Sequence, residues 1–214
     1  MTETLFLTSA DVDGLATPEA FVDAVREAYR QRGNGAPAEP RTKLTNADPP
    51  GFFTTYAAVL PETGTMGGYM YSAGFGAEDA WFMTPLFDAE SGEPIAMVDG
   101  ASMNPFKTGA AGAVAADELA RADATSAAII GSGPQARGQL RALATVRDLE
   151  TVWVFSPTKE HRESFAADAG GEVTDAFAAT LTLDRTFDHQ TSESADVDAE
   201  VFRIEWDRAG DGDD

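Results

Sequence analysis

The chain has 214 residues, 43% of them hydrophobic, and 36 acidic against 15 basic residues give a net charge of −21. This apolar content supports a folded core in one large domain or two small ones. The lack of cysteine excludes disulfides, thiolate metal sites and cysteine nucleophiles, and two histidines are too few for a histidine-rich metal site. Dense negative charge disfavours nucleic acids and anionic membranes as partners.

The acidic residues are spread along the whole chain, and its lysines are Lys43, Lys107 and Lys159. This pattern favours a protein of a high-salt cytoplasm, where salt screens the self-repulsion, over an ordinary acidic protein. No apolar run approaches the ~20 residues that span a membrane, and the N-terminus lacks the basic region of a signal peptide. We therefore expect a cytoplasmic, halophilic protein without membrane association.

The first half of the chain predicts a helix followed by strands. Thr17 can cap a helix that ends at Gly33, and a loop with two prolines follows at 34–44. Apolar and aromatic runs then predict strands, the last two of them forming a hairpin, at 52–60, 65–75, 80–88 and 94–100. The helix predicted at 104–121 consists mostly of small residues, which let another backbone approach closely. A tightly packed core helix is at least as well supported as a ligand role for its alanines.

The next segment predicts a right-handed βαβ unit with a second helix after it. Its elements in order are a strand at 125–130, a helix at 135–146, a strand at 151–156 and a helix at 159–169. After Gly170 the pattern weakens into an acidic segment, 171–214, with two candidate strands at 180–187 and 199–206.

A glycine turn joins the first strand of this unit to its helix and fits the pattern G-x-G-x-x-[GA]. The first glycine makes the tight turn, the second admits a pyrophosphate, and the small third position lets helix pack on strand. The helix N-terminus then offers N–H groups to the phosphates. Dinucleotide binding is the favoured interpretation, and a purely structural turn is the alternative. The residues are Gly131, Ser132, Gly133, Pro134, Gln135 and Ala136.

The end of the second strand selects between NAD and NADP. An acidic residue there would bind the ribose hydroxyl of NAD, whereas this chain has Ser156, followed by Thr158 and Lys159, with Arg162 nearby. Hydroxyls and cations suit a 2′-phosphate, so NADP is slightly preferred over NAD. Alternatively, Lys159 and Arg162 only pair with glutamates on the helix surface.

Five segments resemble the ornithine cyclodeaminase and μ-crystallin family over about residues 4–167. They are LFLTSADV with PEAFVDAVREAYRQ, EPRTK, PLFDAESGEPIAMVDG, KTGAAGAVAADELAR and IGSGPQARGQLRAL. The resemblance implies an α/β protein: a mixed α+β substrate-binding and dimerisation domain at 1–122, then a partial Rossmann-type dinucleotide-binding domain at 123–170. The weakly structured acidic tail at 171–214 matches no family motif.

The resemblance also implies site residues. Arg41 matches the family arginine that binds the substrate carboxylate, and Lys107 stands where the family has an arginine at a helix start. Tyr69, or Met70 or Tyr71 in a shifted alignment, replaces a family lysine near the reacting carbon. A tyrosine can donate a proton but is neutral at pH 7, so the electrostatics of the site change. We assign catalytic roles to Lys107 and Tyr69.

The implied activity is NAD(P)-dependent redox chemistry or cyclodeamination on an amino acid or cyclic imino acid by a homodimer. The family's catalytic aspartate, in a segment like G-A-D-x-x-G-K, has no match in 171–214. We expect a truncated or frame-disrupted product, with an intentionally short variant as the alternative. The competing functions are a non-catalytic NAD(P)- or ligand-binding protein of μ-crystallin type and an inactive remnant.

Overall fold

A computed structural model describes residues 3–169 of the chain. The first elements in chain order are β1 (Leu5–Leu7), α1 (Ser9–Val12), α2 (Pro18–Gly33), β2 (Thr42–Ala47), β3 (Pro50–Leu60), β4 (Thr65–Gly74), β5 (Trp81–Asp88) and β6 (Pro94–Asp99). They are followed by α3 (Gly100–Leu119), β7 (Ser126–Ile130), α4 (Pro134–Val146), β8 (Thr151–Phe155) and α5 (Lys159–Asp168). In this part of the chain no helix is long and apolar enough to cross a membrane.

The first six strands form one sheet in the order β1-β6-β5-β4-β3-β2. Its pairs are antiparallel except for β1 and β6, which run parallel. Because side chains alternate between the two sides of a strand, the register divides the sheet into two faces. The inner face, which packs against α3, carries Phe52, Thr54, Tyr56, Tyr69, Tyr71 and Phe82.

Helix α2 begins as its sequence predicts. The Thr17 hydroxyl accepts the N–H of Ala20, and Pro18 occupies the first helical position. Its apolar side packs on α3 and α4 through a core whose buried members are Val22, Ala110, Ala113, Val114 and Ala142. A second core, of Val12, Ala96 and Val98, fixes α1 against the sheet.

The predicted βαβ unit is present. Strands β7 and β8 pair in parallel over their whole lengths, from Ser126 opposite Thr151 to Ile130 opposite Phe155. Helix α4 connects them, and Phe165 of α5 is buried against Ile129 and the start of α4. The fold is therefore a mixed α/β protein with a partial Rossmann-type unit after the first sheet.

Helices α3 and α4 approach so closely that their contact admits only glycine. A Cβ added at Gly109 would collide with the Gly138 carbonyl oxygen, and one at Gly138 would collide with the Pro105 carbonyl oxygen. A Cβ at Gly112 would strike the Gln139 side chain. The small residues of α3 thus allow the backbone approach that their composition indicates, and this contact joins the sheet to the βαβ unit.

The structure differs most from the sequence prediction at the starts of α3 and β2, and it adds β1 and α1. Helix α3 begins at Gly100 and not at residue 104, because the Asp99 carboxylate caps it by accepting the N–H of Ala101, and Pro105 lies inside it. Strand β2 starts at Thr42, within the predicted loop 34–44, because it pairs with β3. The candidate strands at 180–187 and 199–206 lie outside the described residues.

Candidate functional site

Tyr69 lies at the centre of the inner face, between β4 and the start of α3. Its side chain is 8% exposed, and its hydroxyl donates a hydrogen bond to Asn104 Oδ1. A Cβ at Gly100 would lie 2.7 Å from the Tyr69 ring, so glycine at the start of α3 makes room for it. Burial, more than the opposing Asn104 bond, raises the pKa of Tyr69, which keeps its hydroxyl protonated.

Lys107 projects from α3 onto the face of the Tyr69 ring, with its Nζ atom 3.2 Å from the ring centroid. Burial and, secondly, the positive charge of Arg41 lower its pKa from 10.5 to about 8. The ring face favours the charged ammonium by about 0.5–2 kcal/mol and so opposes this decrease. Lys107 can therefore exchange a proton near neutral pH, as an ordinary exposed lysine cannot.

Arg41 reaches the same face from the edge of the sheet, one residue before β2. Its Cζ atom lies 5.6 Å from the centroid of the Tyr56 ring and 5.8 Å from that of Tyr71. Both aromatic rings contact Tyr69, at centroid distances of 5.4 Å and 5.9 Å. Arg41, Tyr69 and Lys107 therefore lie around one aromatic surface, with the exposed guanidinium at its edge and the half-buried ammonium at its centre.

The glycine turn has a left-handed first glycine and open space at its second glycine. Gly131 has φ = +109°, a conformation that side chains rarely adopt, and its N–H donates to the Phe155 carbonyl at 2.7 Å. A Cβ at Gly133 would meet nothing within 4 Å, so the space in front of the second glycine is open. Helix α4 starts at Pro134, and the amides of Gln135 and Ala136 belong to its unpaired first turn.

The end of β8 lies beside this turn. The Ser132 hydroxyl donates to Ser156 Oγ at 2.9 Å, and Arg162 donates to the Ser156 carbonyl oxygen. Thr158 caps α5 without a side-chain hydrogen bond. Lys159 Nζ lies 3.7 Å from the Glu163 carboxylate, and the lysine side chain is mostly exposed, so this pair is weak.

The predicted site residues thus form two groups, one on the inner face of the sheet and one around the glycine turn. Helix α3, which carries Lys107, packs on α4, whose N-terminus carries the glycine turn, so the two groups are connected through these helices. Sequence reasoning missed Asn104 and Tyr56. Asn104 stands three residues before Lys107, a helical spacing that could have indicated its position beside Tyr69.

An open glycine turn in a parallel βαβ unit follows a sheet with a cationic aromatic surface, and such a turn is typical of dinucleotide-binding proteins. The model of the ornithine cyclodeaminase/mu-crystallin family matches residues 2–184. The chain therefore belongs to this family, and the resemblance seen in the sequence motifs is confirmed. The match also reaches into residues 171–184, beyond the recognisable motifs.

Known relatives and structures agree with this membership. L-lysine cyclodeaminase of Streptomyces rapamycinicus is 41% identical over 102 residues, covering 45% of this chain and 30% of that protein. A structure of Thermococcus litoralis Δ1-pyrroline-2-carboxylate reductase with NADH and L-proline is 28% identical with a TM-score of 0.70, covering 79% of this chain and 55% of that one.

An archaeal alanine dehydrogenase dimer with bound NAD is 29% identical with a TM-score of 0.73. The match covers 83% of this chain and 57% of the dehydrogenase chain. The present chain therefore spans little more than half the length of these structures, and the activity of the whole protein has to be proposed from the site.

Proposed function

We propose that the chain forms part of an NAD(P)-dependent enzyme acting on an amino acid or a cyclic imino acid, as an oxidoreductase or a cyclodeaminase. The observation that carries the proposal is the meeting of Arg41, Lys107 and Tyr69 on one aromatic surface. The names of the relatives support it, since they include a cyclodeaminase, an imino-acid reductase and an amino-acid dehydrogenase.

In this proposal Arg41 binds the substrate carboxylate. Its planar guanidinium can form two parallel hydrogen bonds to a carboxylate. Among residues 3–169, Arg41 forms no ion pair with an acidic side chain, so its charge is available to a ligand. The rings of Tyr56 and Tyr71 beside it restrict the directions from which the ligand can approach.

Lys107 and Tyr69 take the proton-handling roles. With a pKa of about 8, Lys107 can take up or release a proton at the substrate nitrogen within the physiological range. Tyr69 remains protonated and is oriented by Asn104, so it acts as a hydrogen-bond donor and not as a base. The ammonium of Lys107 supplies the positive charge that a tyrosine at position 69 lacks.

The glycine turn fits a dinucleotide, which supplies hydride exchange when bound. We propose that the pyrophosphate is held by Gly131, Ser132 and Gly133 together with the first turn of α4, from Pro134 to Ala136. The open space at Gly133 and the left-handed Gly131 support this assignment.

We propose a slight preference for NADP over NAD. Ser156 carries no charge and Lys159 is held only by a weak surface pair, so Lys159 and the hydroxyl of Thr158 remain available to a 2′-phosphate. The preference rests on these residues alone, because the relatives are described with NAD, NADH or NAD(P)H.

We further propose a homodimer formed through the outer face of the sheet, opposite to the inner face. This face exposes a patch of large apolar side chains: Leu44, Phe53, Trp81, Met83 and Ile95. Exposed apolar patches on soluble domains commonly mark interfaces. We also propose that residues 1–122 form a substrate-binding and dimerisation domain and residues 123–170 a nucleotide-binding unit. The proposed setting of the protein is a high-salt cytoplasm.

The test uses the full 214-residue chain in molar salt. NADH and NADPH are titrated by fluorescence, and turnover is then measured with a panel of cyclic imino acids and of 2-oxo acids with ammonia. We expect wild type to bind the cofactor and to turn over substrate. Arg41→Ala should lower kcat/KM at least tenfold, because a charge-assisted pair contributes about 1.5–3 kcal/mol.

Arg141→Ala is the matched control, because Arg141 is an exposed arginine on α4, away from the inner face. Cofactor binding without turnover would favour the non-catalytic binding protein. No binding of either cofactor would favour the inactive remnant. Equal activity of Arg41→Ala and wild type would refute the assignment of Arg41.

A further inference from the structure

A third cation, Lys43, lies on the inner face without an assigned role. Lys43 lies on the edge strand β2 and Arg41 precedes that strand by one residue; both side chains lie over aromatic rings of the inner face. Its Nζ atom lies 4.4 Å from the centroid of the Phe52 ring, and that ring contacts Tyr71 at 5.9 Å. Because Arg41 lies over the Tyr71 ring, one row of aromatic side chains connects the two cations.

The three inner-face cations, Arg41, Lys43 and Lys107, are distinguished by lying on one surface, since Arg32, Arg141 and Arg162 within residues 3–169 also form no ion pair. Ion pairs with acidic side chains occupy Arg26, Arg30, Arg121, Arg137, Arg147 and Lys159. Within residues 3–169 no such pair involves any of the three, although the chain has 36 acidic residues. An acidic protein that leaves three neighbouring cations uncompensated presents a surface prepared for an anion.

The charge of this surface exceeds what a single carboxylate requires. Arg41 already acts on Lys107 by repulsion, and Lys43 adds a third positive charge to the same face of the sheet. One carboxylate accounts for Arg41, and the proton-handling role accounts for Lys107. Lys43 then remains as an exposed ammonium facing the same aromatic row.

We propose that Lys43 binds a second carboxylate, and that the substrate class is a short dicarboxylic amino or imino acid of four or five carbons. The inference rests on the proposed function, since it assigns the first carboxylate to Arg41. The aromatic row from Phe52 to Tyr71 packs against the carbon chain between the two carboxylates. The long, flexible stem of Lys43 accommodates either chain length.

A buried hydroxyl on the same face agrees with a polar ligand there. Thr54 stands directly opposite Lys43 on one side and Tyr71 on the other. Its side chain is fully buried, and its Oγ1 atom has no hydrogen-bond partner in the described part of the chain. Buried hydroxyls are nearly always paired with protein, water or ligand, so this one is a candidate for the hydration or ligand network of the second carboxylate.

The experiment compares matched ligands that need no catalysis. Succinate and butyrate have four carbons each, and glutarate and valerate have five, so each pair differs by one carboxylate. Binding to the full chain is measured by calorimetry for wild type, Lys43→Met and the control Arg141→Met. Lys43→Met keeps the apolar stem and removes the charge, and Arg141 is an exposed arginine of α4 outside the inner face.

We expect wild type to bind the better dicarboxylate about tenfold more tightly than its monocarboxylate partner, as one charge-assisted contact predicts. Lys43→Met should remove this advantage and leave monocarboxylate affinity unchanged, and Arg141→Met should change neither. Equal affinities of wild type for both members of each pair, or an equal loss for both ligands in Lys43→Met, would overturn the proposal.

The outcome is separable from that of the proposed function. Turnover of monocarboxylic imino acids without any dicarboxylate advantage would leave the enzyme proposal standing and refute the role of Lys43. A Lys43-dependent dicarboxylate advantage without NAD(P)H turnover would support the second carboxylate site and refute the enzyme proposal.

Discussion

Lys107 should make the free energy of unfolding depend on pH, and the substitution Lys107→Met should remove this dependence. Its folded-state pKa is about 8, against 10.5 for an unperturbed lysine. Between these two pH values the unfolded chain holds a proton on Lys107 that the folded chain has released. The free energy of unfolding therefore rises with pH across this window, and below pH 8 the folded protein bears the full cost of a buried ammonium.

The size of this effect follows from the pKa difference. At 1.36 kcal/mol per pH unit, a fall from 10.5 to about 8 corresponds to about 3 kcal/mol. Lys107 is only partly buried, and solvent screening reduces this to about 2–3 kcal/mol. For a chain of this size, each kcal/mol changes Tm by about 2–4 °C. Lys107→Met should therefore exceed wild type in Tm by about 4–12 °C at pH 7.

The assay is thermal unfolding of wild type and Lys107→Met at intervals from pH 7 to pH 10, in constant molar salt. The difference between the two proteins isolates Lys107, because other titrating groups contribute equally to both. We expect this difference to shrink steadily above pH 8. A difference that stays constant across the range would show that Lys107 titrates as an ordinary lysine, and its proposed proton-handling role would then lose its basis.

Three further substitutions test other parts of the structure. Gly133→Val should keep the fold by circular dichroism, since space there is open, and should abolish NADPH binding; unchanged affinity would refute the pyrophosphate site. Gly138→Ala should lower the free energy of unfolding by about 1–3 kcal/mol, because its Cβ would collide with the Pro105 carbonyl oxygen. The control Gly33→Ala, at an open helical position, should be neutral or stabilising, and urea unfolding measures both variants. Thr54→Val should raise stability by about 1–2 kcal/mol without ligand, since it removes an unpaired buried hydroxyl; a loss would show that the hydroxyl is paired.

The βαβ unit and its glycine turn could be predicted from the sequence because their signals are local. Apolar strands, a turn that needs glycine at Gly131, and a helix opened by Pro134 lie within about thirty residues of one another. The small residues of α3 likewise indicated the close contact that Gly109 and Gly138 make. Each of these features depends on backbone geometry that few residue types allow.

The start of α3 and strand β2 could not be predicted in the same way. The sequence predicted a helix beginning at residue 104, and the Asp99 cap moves the boundary to Gly100. Strand β2 has an exposed, polar sequence without alternation, and it is a strand because β3 provides a partner. Tertiary pairing decides such edge strands, and a single sequence does not display the partner.

The residues at positions 69 and 107, where the chain departs from the family pattern, contact each other in the structure. Tyr69 stands where the resemblance predicts a lysine on β4. This replacement by itself leaves the centre of the inner face without a charge. The structure places the Lys107 ammonium 3.2 Å from the centroid of that same ring. Of the two cations that the resemblance implies here, only the one on α3 is therefore present, and it lies over the ring at position 69. Two substitutions that look independent in sequence thus meet in one contact, in which the face of the Tyr69 ring favours the charged form of Lys107.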